Sequence, residues 1–326
     1  MSLYLNTLFV KFYVFFFRMD RSRPAWVRIE FDSERASKMA QLEQAIASEG
    51  EVVEGQCGYP LYWYFDTQAD GRPIVFIHSI NAAPSAIELK PLFQYFRPAR
   101  SVFAPDLPGF GRSTRAVGSF SAPDFAREIA AFVARISDRG EPDIVALSLG
   151  CEFVARAVLE FGMKVRSLTF ISPSGFSART PPSPKAQQRL KRLFNFAGLG
   201  RGAYKLLRTE RSIRHFYGMN FLGQIPDELV RYALKTTRQG EAHQMPLQFL
   251  SMGLFTPNAV DALYRRLDVP VLVLFDEDPN VSFERFAEFE GDSRWRFRRI
   301  HPSMGMPQWE CPELTTETIE EFYASL

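Results

Sequence analysis

Several features that often define a protein's chemistry are scarce in this 326-residue chain. It has only three cysteines, Cys57, Cys151 and Cys311, which are far apart and odd in number. This spacing excludes a zinc site of the C-x-x-C kind and a complete disulfide framework, and it favours a reducing, cytoplasmic compartment. No G-x-G-x-x-G follows a predicted strand and no cluster of metal ligands is visible, so we expect neither a cofactor nor a metal.

An excess of one charge is also missing. The chain carries 39 Lys and Arg against 37 Asp and Glu, a formal net charge of +2. Whole-chain electrostatics therefore suggest no nucleic-acid partner. With 46% hydrophobic and 23% charged residues, the composition supports a folded core and has no signature of disorder.

A long apolar run is lacking too, although residues 1–18 are similar to one in composition. Leu3–Phe17 is mostly apolar and aromatic, but it is shorter than the roughly 20 residues that a membrane-spanning helix needs. Lys11 interrupts the run and no small-residue cleavage site follows, which argues against a signal peptide. Two interpretations stay open: an interfacial anchor, or an extension created by a misplaced start, with Met19 as the true beginning.

What the sequence does contain is a regular alternation of strands and helices. Residues 19–50 are predicted as an N-terminal helical segment with a helix over Ser33–Ser48, and Val52–Phe65 as a strand pair. Short apolar runs then predict buried strands, and a more polar run an edge strand, at Pro73–Ile77, Ser101–Ala104, Ile144–Leu147, Leu168–Ile171, Val271–Leu274 and, for the edge, Trp295–Ile300. This predicts an α/β fold with a doubly wound, mostly parallel sheet whose site lies at the strand ends.

The alternation is interrupted once. About a hundred residues separate Ile171 from Pro270, far more than a crossover requires. Helices are predicted inside this stretch at Ala186–Phe196, Tyr204–Tyr217 and Asp227–Thr237. We therefore divide the chain into a core, residues 51–176 and 265–326, and a helical lid, residues 177–264, which we expect above the strand ends.

A serine stands at one strand-to-helix turn. The segment Ala146-Leu147-Ser148-Leu149-Gly150 follows a β-branched strand and precedes an amphipathic helix. It resembles the G-x-S-x-G nucleophile elbow of the α/β-hydrolase family, with alanine in place of the first glycine, and alanine is small enough for so tight a turn. The resemblance implies an α/β-hydrolase fold with Ser148 as nucleophile. The alternative is a serine that merely caps a helix.

Two further segments resemble the same family. His78-Ser79-Ile80-Asn81 stands where the family has a His-Gly pair, and it implies the backbone N–H groups of Ile80 and Leu149 as the oxyanion hole. We interpret His78 as a structural hydrogen-bonding residue. Asp106-Leu107-Pro108-Gly109-Phe110-Gly111-Arg112-Ser113 matches the family's D-x-P-G-x-G-x-S turn, in which Asp106 determines the fold and does no catalysis.

The resemblance also places the acid of a catalytic triad after the strand that follows the lid. The sequence there is Asp276-Glu277-Asp278-Pro279, and we take Asp278 as the acid and Asp276 as the runner-up. The alternative is a solvated acidic loop without a catalytic role.

The triad base is missing from its usual place. In the family a histidine lies between the last strand and the last helix, often as G-H-x-P-x-x-E. Here the loop reads Gly305-Met306-Pro307-Gln308-Trp309-Glu310, so that Met306 or Gly305 stands at the histidine position and Gln308 at the other conceivable one. Neither methionine nor glutamine takes a proton from serine near neutral pH.

Only four histidines are present, so the substitutes are few. His301 begins this same loop and is the tentative base, because geometry and not sequence position defines a triad. His215 and His243 belong to the lid and could reach the site only from above. Two functions therefore stay open: a serine hydrolase that cleaves a carboxylic ester or related, largely apolar acyl substrate, and a catalytically silent or very slow hydrolase-fold protein that binds a small molecule.

The predicted lid is strongly basic. Arg179–Arg214 contains ten Lys and Arg against one acid, Glu210, which leaves 29 basic and 36 acidic residues elsewhere. One interpretation is docking on an anionic membrane, so that peripheral membrane contact would run through residues 1–18 or the basic lid. The other, which we favour here, is a solvated helical face that pairs with the acidic body. No motif accompanies the charge that would indicate nucleic-acid binding.

Overall fold

The structure is a computed structural model, and it describes residues 42–115, 120–178, 182–195 and 199–326. The apolar extension over residues 1–18 lies outside the described residues. So does the helical segment predicted from residue 19, up to residue 41.

One eight-stranded sheet organises the chain, in the spatial order β1-β2-β4-β3-β5-β6-β7-β8. β1 pairs antiparallel with β2 and β2 with β4, whereas all the other neighbours are parallel. The mostly parallel sheet predicted from the apolar runs is therefore confirmed. The strands are β1 Glu49–Glu54, β2 Pro60–Asp66, β3 Ile74–Ile77, β4 Val102–Asp106, β5 Asp143–Leu147, β6 Ser167–Ile171, β7 Val271–Glu277 and β8 Trp295–Met304.

Helices cover both faces of this sheet, because alternate residues of each central strand are apolar on opposite sides. Val75 and Ile77 of β3 pack with helices α2 (Ala122–Arg135) and α3 (Gly150–Phe161). Ile74 and Phe76 pack on the other face with helices α1 (Lys90–Phe96) and α11 (Pro312–Ala324). The result is a doubly wound α/β sandwich.

A helical insertion separates β6 from β7. Its helices are α4 Pro184–Asn195, α5 Leu199–Leu207, α6 Glu210–Gly218, α7 Asp227–Thr237, α8 Gln244–Leu250 and α9 Ala259–Ala262, and the short helix α10, Pro307–Glu310, comes later, after β8. Side chains of α6 and α7 join the core cluster of the α1 face, so the insertion is packed on the core there. No helix among the described residues is both long and apolar enough to cross a bilayer.

Two predicted helices need correction. The helix predicted over Ser33–Ser48 is absent over residues 42–48, which form bends before β1. There the amide of Ala45 donates to the hydroxyl of Tyr64 at 3.0 Å and Ile46 is fully buried, so tertiary contacts replace the helical ladder. The single helix predicted over Tyr204–Tyr217 is two helices, α5 and α6, because Thr209 caps a new start by accepting a hydrogen bond from the amide of Ser212.

Candidate active site

Ser148 occupies a strained turn between β5 and α3. Its φ is +53°, in the left-handed region that residues other than glycine avoid at a cost of roughly 1–2 kcal/mol. Such a conformation persists only where the surroundings hold it, and such residues cluster at active sites. Here the amide of Ser148 donates to the carbonyl of Ile171 at 2.9 Å, and its carbonyl accepts from the amide of Cys151 at 3.1 Å. No hydrogen bond to the Ser148 hydroxyl is found within the described ranges.

Gly150, the first residue of α3, allows the helix to approach the sheet closely. A Cβ atom at this position would lie 2.7 Å from the carbonyl oxygen of His78, closer than real Cβ contacts allow. Any side chain at residue 150 would therefore push α3 away from the loop that follows β3. The glycine brings the serine turn and that loop together.

The ends of three neighbouring strands are tied together at the Ser148 edge of the sheet. The amide of Ser172 donates to the carbonyl of Leu274 at 2.9 Å, so β6 links β5 to β7 on both sides. Strands lie about 4.8 Å apart, which puts the end of β7 about 10 Å from the end of β5. Groups after β7 therefore belong to the same edge as the serine.

The described residues supply no acceptor for the backbone N–H groups of Ile80 and Leu149. Ile80 and Leu149 are 2% and 1% exposed. In the part of the chain that the structure describes, neither backbone N–H donates a hydrogen bond. An unpaired buried N–H is costly and rare, so these two amides are candidates for binding a negatively charged oxygen.

His78 fixes the direction in which the Ile80 amide points. Its Nδ1 donates to the carbonyl of Ser79 at 2.6 Å, and its Nε2 accepts from the amide of Leu107 at 2.9 Å. Because the peptide unit is planar and trans, holding the Ser79 carbonyl turns the N–H of Ile80 to the opposite side. Burial lowers the pKa of His78 to about 4, so the ring is neutral at pH 7 and both nitrogens are engaged.

Glu88 stabilises the same loop through hydrogen bonds. Its carboxylate accepts from the amide and hydroxyl of Ser79, each at 3.0 Å, and from the Asn81 side chain at 2.7 Å. The residue is 1% exposed, and burial raises its pKa to about 7 in spite of these hydrogen bonds. Ser79, which departs from the glycine of the family motif, thus has a partner of its own.

The two carboxyl groups at the end of β7 have different surroundings. Asp276 is buried and accepts from the amide of Ser303 at 2.8 Å, from Arg299 at 2.6 Å and from Nδ1 of His301 at 3.0 Å. Burial alone would raise the pKa of Asp276, but these hydrogen bonds bring it below its usual value. His301 is 64% exposed, and no hydrogen bond joins it to Ser148 within the described residues. The structure thus brings the tentative base together with Asp276 and not with Asp278.

Asp278 faces a glycine. Its Oδ1 accepts from the amides of Asn280 and Val281 at 2.7 and 3.2 Å, and none of the described cations pairs with it. Burial raises the pKa of Asp278 to about 6. A Cβ atom built on Gly305 would lie 2.9 Å from its Oδ2. Residue 305 is therefore the position from which a side chain would meet this carboxylate.

Met306 and Gln308 belong to a different contact. Both are buried, and Nε2 of Gln308 lies 3.5 Å from Sδ of Met306 and donates to the carbonyl of Glu88 at 3.0 Å. The two histidines of the helical insertion are not in hydrogen-bond contact with Ser148 in the described structure either. His215 is exposed on α6, and the ring of His243 lies 6.4 Å from that of Tyr204.

Residues 74–318 match the family model described as the alpha/beta hydrolase family. The chain belongs to the alpha/beta hydrolase family. No curated protein sequence is significantly similar to it.

Solved hydrolases share the fold at low sequence identity. A serine hydrolase involved in carbazole degradation is 16% identical with a TM-score of 0.68, covering 86% of this chain and 100% of its own. A thermophilic esterase from Thermogutta terrifontis is 18% identical with a TM-score of 0.65, covering 85% and 99%. A bacterial membrane phospholipase A is 17% identical with a TM-score of 0.66, covering 99% and 93%. At these identities the likeness concerns the fold alone.

Gly305 and Met306 stand where the resemblance to the family places the triad histidine. Among the two positions that the loop sequence left open, residue 305 faces Asp278, whereas residue 306 faces Gln308. Sequence reasoning did not find Glu88, although a lone glutamate in the apolar run Ala82–Leu89 is a signal for a buried, hydrogen-bonded carboxyl group. No group of three or more metal-ligating side chains with suitable geometry occurs in the described part.

Proposed function

We propose that this alpha/beta hydrolase is a slow acyl hydrolase that uses Ser148 to cleave a carboxylic ester or related acyl compound. The observation that carries the proposal is the strained Ser148 turn beside the two unpaired amides of Ile80 and Leu149. Strain and orphaned donors both cost stability, and a fold keeps them where they serve chemistry.

The proposed reaction has two steps. The Ser148 Oγ bonds to the acyl carbon while its proton passes to water, and the Ile80 and Leu149 amides stabilise the tetrahedral oxyanion. The ester C–O bond breaks, and the departing alkoxide takes a proton from water. A second water then cleaves the acyl-serine, which releases the acid and restores the hydroxyl.

The absence of an imidazole between Asp278 and Ser148 in the described structure supports a low rate. Losing a triad member commonly reduces kcat by about 10⁴- to 10⁶-fold and leaves the contribution of the oxyanion hole and of binding. A chain of this kind would spend much of its time as a binding protein for an apolar acyl molecule. The silent or very slow hydrolase is thus the limiting case of the same site.

A second candidate is a faster serine hydrolase in which His301 is the base and Asp276, in place of Asp278, orients it. The 3.0 Å contact between His301 Nδ1 and the buried Asp276 carboxylate favours it, because it leaves Nε2 free to accept a proton. This candidate requires the segment around His301 to move towards Ser148, since a base must reach hydrogen-bond distance.

One labelling experiment tests both candidates. The full chain is incubated with a fluorophosphonate probe, and wild type is compared with Ser148→Ala, His301→Ala and His243→Ala. We expect slow labelling that is lost in Ser148→Ala and unchanged in both histidine variants. Labelling that disappears in His301→Ala would establish the second candidate, and wild-type protein that resists prolonged labelling would refute the proposed chemistry.

We further propose that the helical insertion acts as a lid and that its basic part contacts anionic membranes. Six described cations of Arg179–Arg214 form no ion pair with any described acid: Lys185, Arg189, Arg192, Lys205, Arg208 and Arg211. Among the described cations of this segment, Arg214 is the one that is paired, with Glu210 and Asp227. The interpretation favoured from sequence, in which this face pairs with the acidic body, therefore lacks support. Lys185, Arg189 and Arg192 lie on one face of α4, three and four residues apart.

The three free cysteines suit a cytoplasmic protein that binds such a surface reversibly.

A further inference from the structure

Glu88 is a buried acid for which the described residues supply no counter-charge. It lies in the helical turn Ala86–Leu89 that precedes α1, and it is 1% exposed. No Lys, Arg or His in the described ranges forms an ion pair with it. A carboxyl group is kept in such surroundings only when hydrogen bonds replace its hydration, so its partners indicate its role.

Those partners surround one of the two unpaired amides. Ser79 and Asn81 are the neighbours of Ile80 on either side, and Glu88 accepts from both. Asn81 is held a second time, since its Nδ2 donates to the Ser79 hydroxyl at 2.8 Å and its Oδ1 accepts from the amide of Ala83 at 2.9 Å. The loop is therefore fastened at both ends of Ile80.

The backbone of Glu88 is itself fixed by hydrogen bonds. Its main-chain carbonyl accepts from Nε2 of Gln308 at 3.0 Å and from Nε1 of Trp309 at 2.8 Å. Both donors belong to α10, which follows the Gly305 loop. These two hydrogen bonds anchor the backbone of Glu88 independently of the Ser79–Asn81 segment, so the carboxylate restrains that segment from a fixed point.

We propose that Glu88 is the positioning residue of the oxyanion site: its carboxylate clamps Ser79 and Asn81 and so holds the Ile80 amide in the orientation that receives the charge of the acyl oxygen. His78 sets the plane of that peptide unit, and Glu88 keeps the plane in place. For its catalytic purpose this inference rests on the proposed function.

The clamp depends on pH. The ionised carboxylate accepts three hydrogen bonds, whereas the protonated acid gives up an acceptor site to its own proton. The titratable group that faces Glu88 from the packed insertion is Tyr217 of α6, whose pKa burial keeps far above neutrality. From α10 it meets only the uncharged Gln308 and Trp309. With the pKa of Glu88 at about 7, the loop is held firmly above pH 7 and loosened below it.

The direct test observes the Ile80 amide in the full chain, labelled with ¹⁵N-isoleucine and assigned with the variant Ile80→Val. We expect its resonance to titrate with a midpoint near pH 7 in wild type and to stay fixed in Glu88→Gln. Glu128→Gln is the matched control, because Glu128 is also buried and accepts from two backbone amides, at Gln56 and Cys57. An Ile80 resonance that does not titrate, or that titrates equally in Glu88→Gln, overturns the proposal.

A kinetic measurement separates positioning from mere stability. The rate constant for phosphonylation of Ser148 is measured against pH in wild type and in Glu88→Gln. We expect the ratio of the two rate constants to rise through pH 7 and then level off at between about tenfold and 10³-fold. The upper bound is the effect of losing one oxyanion donor completely. Glu128→Gln should react like wild type at every pH. If Ile80 titrates as expected but Ser148 never reacts, the clamp stands and the proposed hydrolysis fails. A pH-independent ratio near one, in wild type that does react, refutes the clamp.

Discussion

Replacing Gly305 by histidine should create the missing base. The Cβ of the new side chain would start 2.9 Å from Oδ2 of Asp278, so Nδ1, two bonds further on, reaches that carboxylate after a small rotation. The contact is too short for an unmoved Cβ, and the Asp278 carboxylate has to shift by a few tenths of an ångström. Position 305 also has a φ of +84°, which costs a histidine about 1–2 kcal/mol.

The expected gain is in the rate of hydrolysis, whereas the cost is in stability. A positioned general base contributes about 10²- to 10⁴-fold to a rate, and we expect the lower end, about 10²-fold, because the loop was not built around an imidazole. The cost appears in the melting temperature, as a fall of about 1.5–3 °C, because a chain of this length has an unfolding entropy of about 0.7 kcal/mol/K. Hydrolysis of p-nitrophenyl acetate, corrected with Ser148→Ala, measures the gain.

Two further variants control this experiment. Asp278→Asn in the Gly305→His background should remove most of the gain, because the new imidazole loses the group that orients it. Met306→His should gain nothing, since that side chain packs on Gln308. A folded Gly305→His protein no faster than wild type, or a faster Met306→His protein, would refute our assignment of the base position.

Four other outcomes follow from the structure. Ser148→Gly should raise the free energy of unfolding by about 1 kcal/mol, because glycine adopts a φ of +53° without strain, while fluorophosphonate labelling is abolished; an unchanged melting temperature contradicts the strain. The pKa of Glu88 lies at about 7 against 4.5, so the folded state retains a proton that the unfolded state releases. Between pH 4.5 and 7 the free energy of unfolding of wild type should therefore fall by about 3 kcal/mol relative to that of Glu88→Gln, and the difference should stay constant above pH 7. Urea unfolding measures it. His301→Ala should leave the labelling rate unchanged within about twofold, because a residue that does not reach Ser148 contributes no base catalysis. The triple variant Lys185→Gln, Arg189→Gln, Arg192→Gln should bind vesicles of phosphatidylcholine and phosphatidylglycerol about 10²-fold more weakly than wild type, at about 1 kcal/mol per cation. Vesicle flotation measures the binding. The control is a triple variant in which the exposed core cations Arg139, Lys164 and Arg298 are changed to glutamine. Equal binding of the two triple variants contradicts the lid contact.

The sheet and the serine turn were predictable because local rules determine them. The five buried strands are short apolar runs, and a small-x-Ser-x-Gly segment after one of them has few other structures open to it. The residue bounds changed by no more than three positions, as from Ser101–Ala104 to Val102–Asp106. Where propensity competed with tertiary contacts it failed, as in residues 42–48, whose amide and apolar side chains pack on the core.

The surroundings of the acids could not be read from the chain. Asp276 and Asp278 are two residues apart, yet one is covered by Arg299, His301 and Ser303 and the other faces Gly305. Those contacts depend on an irregular register between β7 and β8, which no local pattern encodes. Glu88 is similar, because its partners lie 7 to 9 residues back along the chain and its carbonyl is held by a segment 220 residues away.

The irregular register of β8 gives this fold room for change at one place. Phe275 pairs with Arg299 and Glu277 with Met304, so that Asp276 alone stands opposite four residues of β8, Ile300, His301, Pro302 and Ser303. β8 is the outermost strand, and the ladder resumes beyond the detour. A stretch of this kind can be lengthened, shortened or exchanged while the inner strands keep their alignment. Variation in this family member can therefore accumulate within a few residues of its acids and leave the serine turn, at the end of the fourth strand from that edge, undisturbed.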